Sequence, residues 1–412
     1  MISRVKMDLD TYMFNYRPPT IRHGIGIVAD LKSALERRDC TRSLIVTGST
    51  LASVSAVIDP VRDGLGGCLM DVFGGVTPEK YLKSAYTGAK IVREEDVDAL
   101  VPVGGGSSLD TAKVISVLAG HDRPLNDVTD EILETGEMRL PPEEVSLVDI
   151  FAVPTTLPGA DMSQVAGVKL SMEPENTPKF EIPSGGVGDQ RLMPSAVFHD
   201  AELFATTPDS VLAKSAMNGF DKGIEMLYSK NRTPITDATA MRGLRLLRSG
   251  LPSIRCDTST VELSRVLKGI TLVQYGLSTP SAYRASVIHA FGHALSRRYP
   301  IQQGVAHAIS APHVLRYLFE RVGGRRDLLA EALDVWQEGT TADETAKAVV
   351  AAVADTRDAL ELPSRLAKVD TAERDHFPEL AQAVIEDAFM PNAPPNLDPD
   401  VAEIEAVFEE MW

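Results

Sequence analysis

Short apolar runs closed by glycine or polar turns dominate the first half of the chain. Ser43-Leu-Ile-Val-Thr47 reads as a buried strand and ends in Gly48-Ser49-Thr50. Cys68-Leu-Met-Asp-Val-Phe73 is a second strand, closed by Gly74-Gly75; Asp98-Ala-Leu-Val-Pro-Val103 and Val148-Asp-Ile-Phe-Ala-Val153 are a third and a fourth. From Thr77 to Glu95, Tyr81, Ala85, Ala89 and Val92 recur at helical spacing, with Thr77 as cap and Pro78 in the first position. Strands alternating with helices predict a doubly wound parallel sheet. The Asp/Glu/Pro-rich stretch 121–147 reads as a surface excursion, and the Gly/Pro-rich stretch Glu173–Pro194 holds turns at Ser184-Gly-Gly-Val-Gly188. Beyond Pro194 strand patterns thin out, and Ala/Leu/Arg-rich helical periods run to the end. The expected organisation is α/β plus all-α: a parallel-sheet domain over 1–193 and a helical-bundle domain over 194–412, without internal repeats or heptads.

Composition narrows the partners. The net charge is −17, from 41 basic and 58 acidic residues, which disfavours nucleic acid or an anionic membrane as main partner. The three cysteines, Cys40, Cys68 and Cys256, form no CxxC pair, and a reducing compartment is the default for such usage. No apolar run reaches the ~20 residues of a membrane span. The expectation is a cytoplasmic protein.

The third strand runs into Val103-Gly104-Gly105-Gly106-Ser107-Ser108-Leu109-Asp110-Thr-Ala-Lys113. Three glycines after a strand let the backbone approach a phosphate with no Cβ in the way. A helix beginning near Ser107 points its free N–H groups and positive dipole end at that anion. Ser107 and Ser108 add hydroxyls, Asp110 sits in the first turn, and Lys113 lies one turn on. The string is neither GxGxxG nor GxxxxGK[ST], and a ligand-free tight turn is the alternative on the glycines alone.

The whole string GGGSSLDTAK resembles the pyrophosphate-binding motif of the iron-containing alcohol dehydrogenase family (group III). Pro154-Thr155-Thr156-Leu157-Pro158-Gly159 resembles that family's second loop, which lies against the nicotinamide and its ribose. Phe198-His-Asp-Ala-Glu-Leu resembles the lead into the helical domain. Asn218-Gly-Phe-Asp-Lys-Gly-Ile-Glu225, His289-Ala-Phe-Gly-His293 and Gln303-Gly-Val-Ala-His-Ala308 resemble its metal-ligand regions. The matches stay in order from about residue 20 to 320. They imply a Rossmann-like cofactor domain joined to a helical one, as in dehydroquinate synthase, and hydride transfer between an alcohol and NAD or NADP in the cleft. Where the family tends to carry an acid on the adenosine ribose, this chain has Gly48, then Ser49 and Thr50. That leans towards NADP; a mere turn at Gly48 is the other reading.

The family's ligand pattern is an Asp and a His four apart on one helix, a His on a later helix and a His after a loop. Those places hold Asn218, Lys222, His289 and Gln303. An ion of the iron or zinc type needs about four donors such as carboxylate and neutral imidazole, whereas an amide is a poor ligand and an ammonium repels a cation. The implied picture is a retained pocket without the ion. Lys222 would supply the charge, His293 the proton relay and His289 orientation; Asn218, Gln303 and His307 would line the substrate pocket. Read without the resemblance, a helical Lys is ordinarily solvated and an i,i+4 His pair is often structural. A shifted helix frame would bring Asp221 and Glu225 forward as ligands instead. His199 and His313 read as structural, and His23, His121 and His376 carry no motif. A small-molecule or peptide substrate and a homodimer are expected. One branch suggested by the resemblance oxidises a peptide's C-terminal threonine, a β-hydroxy acid, with loss of carbon dioxide, in daptide-type modified-peptide biosynthesis. A catalytically degenerate nucleotide binder and a lyase using NAD transiently are the rival classes.

Overall fold

The computed structural model describes residues 12–170, 182–256, 259–280 and 282–412. Of the Gly/Pro-rich stretch Glu173–Pro194, residues 173–181 lie outside them, and Ser184–Gly188, expected as turns, is an extended strand instead. The strands are β1 (Thr20–Gly24), β2 (Ser43–Gly48), β3 (Leu69–Val76), β4 (Ala99–Gly104), β5 (Asp149–Pro154), β6 (Val165–Lys169), β7 (Ser184–Gly188) and β8 (Ala196–Asp200). Six of them form one sheet in the order β1-β8-β5-β4-β2-β3, with every pairing parallel. β6 and β7 make a separate antiparallel hairpin.

The sheet is buried on both faces, as parallel sheets are, and residues alternate between them. Leu44, Val46, Leu100 and Ile150 pack on one side against helices α2 and α3, while Ile45, Val101, Phe151 and Val153 pack on the other against α1. Here α1 is Ser55–Leu65, α2 is Leu82–Glu94 and α3 is Gly106–Ala119. The excursion at 121–147 contains a further helix, α4 (Leu125–Thr135), whose Val128 and Ile132 join the α2/α3 core.

The structure corrects two further sequence expectations. The helix expected from Thr77 starts only at Leu82, because Lys80 takes a positive φ of 60° and its N–H closes a turn on the Thr77 carbonyl at 3.0 Å. The helical half expected from 194 starts later, because β8 at Ala196–Asp200 is a fully buried strand of the sheet. Both β8 and its neighbour β1 are five residues long, too short for a clear period.

The strand order places the site. From β2 the chain proceeds outwards to β3 and then back across to β4. The carboxyl ends of β2 and β4 therefore flank a topological switch point, the place where open α/β sheets bind ligands. Those ends are Gly48 and Gly104.

The helical half comprises α5 (Asp209–Tyr228), α6 (Pro234–Gly250), α7 (Thr260–Gln274), α8 (Val287–Arg298), α9 (Gln303–Arg321), α10 (Ala342–Ala359), α11 (Phe377–Ile385) and α12 (Val401–Met411), with shorter pieces between them. Among the described residues no helix is long and apolar enough to cross a membrane. α5 runs through the centre, and every residue from Ala216 to Tyr228 is buried. A helix buried all round forces its polar residues inside the bundle, and here those are Asn218, Asp221, Lys222 and Glu225.

α5 also presses on the sheet half. A Cβ at Gly219 would stand 2.5 Å from the Leu157 carbonyl oxygen and 2.4 Å from Ile270, so only glycine lets helix and loop meet. We expect Gly219→Val to cost about 1–3 kcal/mol, the usual range for overpacking, as measured by urea unfolding. Cofactor affinity should fall with it, since the loop must move.

Candidate active site

At the switch point the glycine turn has the shape of a cradle. Gly104 has φ of +133°, and a Cβ there would lie 2.9 Å from Ser108 Oγ and 3.0 Å from Leu51. α3 begins at Gly106 with Gly105 as its N-cap, and no side chain caps that end. Its first N–H groups and positive dipole end thus face the switch point, as an anion requires. Ser107 is half-buried beside them and Ser108 is buried. The second loop closes on this turn: Thr155 N–H donates to Gly104 O at 2.9 Å, and a Cβ at Gly105 would lie 3.2 Å from Thr156 Oγ1. Gly48 is half-buried at the end of β2, with Ser49 and Thr50 exposed after it.

Two residues expected at the phosphate are engaged elsewhere. Asp110 accepts from Lys80 at 2.8 Å and from Gly167 N–H at 3.4 Å. Lys113 is fully buried and donates to Ala160 O at 2.8 Å and Val165 O at 3.1 Å. Burial pushes its ammonium down to about 8. Both side chains brace the segment around the second loop instead of reaching towards an anion.

Across the cleft, α5, α8 and α9 bring the remaining candidates together. Lys222 is buried, and its ammonium donates to Pro158 O in the second loop at 2.5 Å. Gln274 Nε2 from α7 donates to the same carbonyl at 3.2 Å. Burial lowers the Lys222 ammonium from its ordinary 10.5 to about 8, outweighing the fields of Asp161, Glu225 and Asp110. Asn218 Nδ2 donates to Gln303 Oε1 at 3.0 Å, while Asn218 Oδ1 is buried without a partner. His289 Nδ1 shares a 2.5 Å hydrogen bond with Glu225 Oε2, and its main-chain N–H donates to Oε1 at 3.0 Å. Its Nε2 is buried without a partner. Burial, reinforced by Lys222, holds the His289 ring well below the usual imidazole range and therefore neutral.

His307, expected at the pocket, lies one turn deeper. It is wholly buried, its ring 4.3 Å from that of His289 and its Nδ1 3.4 Å from Asp221 Oδ2. His293, one turn beyond His289 on α8, differs: its side chain is 24% exposed, and Nδ1 meets Asp387 Oδ2 at 2.9 Å. His199 is structural, as expected: it joins β8 to Asp161 at 2.6 Å and to Thr271 of α7 at 2.9 Å.

The comparisons with known proteins agree with this layout. A family model described as iron-containing alcohol dehydrogenase matches residues 18–201, and the Fe-containing alcohol dehydrogenase family C-terminal model matches 212–412. The chain belongs to the iron-containing alcohol dehydrogenase family. It is 26% identical to lactaldehyde reductase of Escherichia coli (strain K12) over 371 residues, 88% of this chain and 91% of that protein. It is 27% identical to 1,3-propanediol dehydrogenase of Klebsiella pneumoniae over 386 residues, 91% and 93% of the two. The crystal structure of sulfoacetaldehyde reductase from Bifidobacterium kashiwanohense in complex with NAD+ shares the fold, with a TM-score of 0.83, 19% identity and coverage of 97% of this chain and 99% of that one. The chain is thus an alcohol dehydrogenase-like oxidoreductase.

The family's iron does not suit this member's residues. Of the four ligand places only His289 offers an imidazole lone pair, and the positive charge of Lys222 acts on that ring. Asp221 and Glu225 do not replace what is lost. Glu225 is committed to His289 and, through Oε1, to Tyr228 at 3.2 Å. Asp221 is fully buried, and burial drives its carboxyl well above the usual range, towards the neutral acid. Among the described residues no group of three or more His, Cys, Asp or Glu side chains is placed to hold an ion. Sequence reading missed Asp387, Gln274 and Asp161. None carries a motif, and each reaches the cleft only through the packing of α7, α8 and the loops.

Lys222 pays a desolvation penalty that substitution should remove. Its folded pKa is depressed, so between about 8 and its ordinary 10.5 the unfolded chain binds the extra proton and stability rises with pH. We expect Lys222→Met to resist urea better than the parent at pH 7 while losing turnover, with the stability gap narrowing as pH rises through that window.

Proposed function

We propose that this chain oxidises an alcohol, or reduces its carbonyl, with NAD or NADP, and that the Lys222 ammonium does the electrostatic work of the family's ion. One observation carries the reading: a buried ammonium, anchored on the Pro158 carbonyl of the second loop, whose hydrogen bond is to a neutral acceptor. A Lys ammonium has three donors, so N–H groups remain for a substrate oxygen. A fixed positive charge in a dry site stabilises the alkoxide that forms as the alcohol is oxidised, or polarises the carbonyl in reverse. His293 takes or returns the hydroxyl proton. His289, Asn218 and Gln303 shape the wall behind Lys222.

The cofactor fits the cradle described above: Gly104, Gly105, Gly106, Ser107 and Ser108 suit a pyrophosphate, and Thr155, Thr156 and Pro158 the second loop's side. When bound, the nicotinamide supplies or accepts the hydride. The absence of a carboxylate at Gly48, Ser49 and Thr50 leaves room for a 2′-phosphate and favours NADP. A second reading rests on the same ammonium. A β-hydroxy acid, including the C-terminal threonine of a peptide, would bring a carboxylate that pairs with Lys222, and its β-keto product would lose carbon dioxide.

Two experiments test this reading. Purified enzyme should carry no stoichiometric iron or zinc and should keep turning over after dialysis against chelator; loss of activity there overturns the metal-free reading. Rebuilding the donors as Asn218→Asp/Lys222→His/Gln303→His should create stoichiometric binding of a divalent ion, read by metal analysis. Separately, Gly48→Asp should raise KM for NADP about tenfold or more, the scale of one uncompensated charge repulsion, and leave NAD nearly unaffected. Equal effects on both cofactors would remove Gly48 from the phosphate site.

A further inference from the structure

We propose that Asp387 is the positioning residue for His293, fixing the proton on Nδ1 so that Nε2 faces the cleft as the base. The inference rests on the His293 relay reading above and adds a residue from a separate part of the chain. The carboxylate comes from the loop after α11, 94 residues from the histidine, and its side chain is 1% exposed. Oδ2 meets His293 Nδ1 at 2.9 Å, and Oδ1 accepts the Phe389 N–H at 3.0 Å. Both oxygens are thus committed, and the group is locked in place. Burial pushes this carboxyl up, but the hydrogen bond and charge of His293, the Phe389 N–H and Arg297 together hold it below the usual range. It is an anion facing Nδ1, so Nδ1 donates.

The same short segment supplies a wall. The Phe389 ring lies 5.0 Å from that of His293, and Tyr283 stacks behind Phe389 at 5.0 Å. The imidazole is therefore held by a hydrogen bond at one edge and by an aromatic ring against it. α8 offers an internal control. His289 also sits on a carboxylate, Glu225, but is 3% exposed with Nε2 sealed in the bundle. His293 is 24% exposed, so of the two imidazoles it is the one able to exchange protons with solvent. The other ionisable groups that act with it are His289 on its own helix and His307 from α9, with Arg297 of α8 beside the same carboxylate. Arg297 Nη1 lies 3.7 Å from Asp387 Oδ2 and is 65% exposed, too solvated to take the carboxylate over.

The proton count closes. In alcohol oxidation the substrate O–H bond breaks, an Nε2–H bond forms, and the hydride leaves for the nicotinamide. Nδ1–H stays in place, and Asp387 remains ionised opposite the new imidazolium, as in other acid–histidine pairs. Reduction of the carbonyl reverses each step.

The test uses full-length enzyme with its nicotinamide cofactor. Asp387→Asn should lower kcat about 100-fold, within the range of general acid–base catalysis, with cofactor Kd nearly unchanged. The acidic limb of kcat/KM for oxidation should move about one unit to lower pH, because the anion that stabilised the imidazolium is gone. Asp387→Glu should recover part of the rate. If His293→Ala is inactive while Asp387→Asn keeps both rate and pH limb, the positioning role is overturned. If His293→Ala keeps its turnover, the relay reading itself fails. A measurement on unmodified enzyme guards against a variant that does not fold. In ¹⁵N-histidine-labelled protein the neutral His293 ring must carry its proton on Nδ1, and a proton on Nε2 overturns the proposal.

Discussion

The contact on which the site depends is the hydrogen bond from the Lys222 ammonium to the Pro158 carbonyl. It joins the centre of the helical half to the loop that leaves β5 in the sheet half. It also fixes where the positive charge stands. A long, flexible side chain would otherwise have many arrangements, and the carboxylates that act on it, Asp161, Glu225 and Asp110, do not outweigh its burial. Gln274 grips the same carbonyl from α7, so the acceptor itself is held. Burying an ammonium on a neutral carbonyl is expensive, and such an expense is characteristic of functional sites.

The residues around Lys222 decide how much of its charge is available. A carboxylate at the Asn218 place would bind the lysine as a salt bridge and neutralise its charge. Here the flanking positions are amides, and Asn218 donates to Gln303 across α5 and α9. Neutral neighbours leave the ammonium's charge available. His289 is kept neutral by burial and by Lys222 itself, so the ammonium is the positive group of this cluster.

Much of this was legible in the sequence. β2, β4 and β5 are apolar runs closed by turns, and β3 is eight residues long, so their pattern could be read. β1 and β8 are five residues each, and no local pattern distinguishes them from loop. The glycine string and the Asn218/Lys222/His289/Gln303 substitutions were visible because they stand at places a family pattern defines. What a motif suggests about direction is weaker: Lys113 and Asp110 sit in the motif, yet they brace main-chain carbonyls and Lys80. His307 looked like a pocket residue because it follows Gln303 closely, but four residues along a helix is a full turn, and here that turn leads inwards. Asp387 was invisible, since only the packing of α8 against the end of α11 brings it to His293.

The second loop belongs to the sheet by sequence and to the helices by its bonds. Thr207 and Ser215 hold its main chain at Thr155 and Leu157, Lys222 and Gln274 hold Pro158, and α5 touches Leu157 directly through Gly219. The glycine turn, by contrast, is part of β4 and α3. Yet Thr155 N–H also ties the loop to Gly104 O of that turn, and Lys113 of α3 holds Ala160 just beyond it, so the loop is bonded to both halves at once. A shift of either half against the other would therefore be felt at this one loop, which acts as the strap between them.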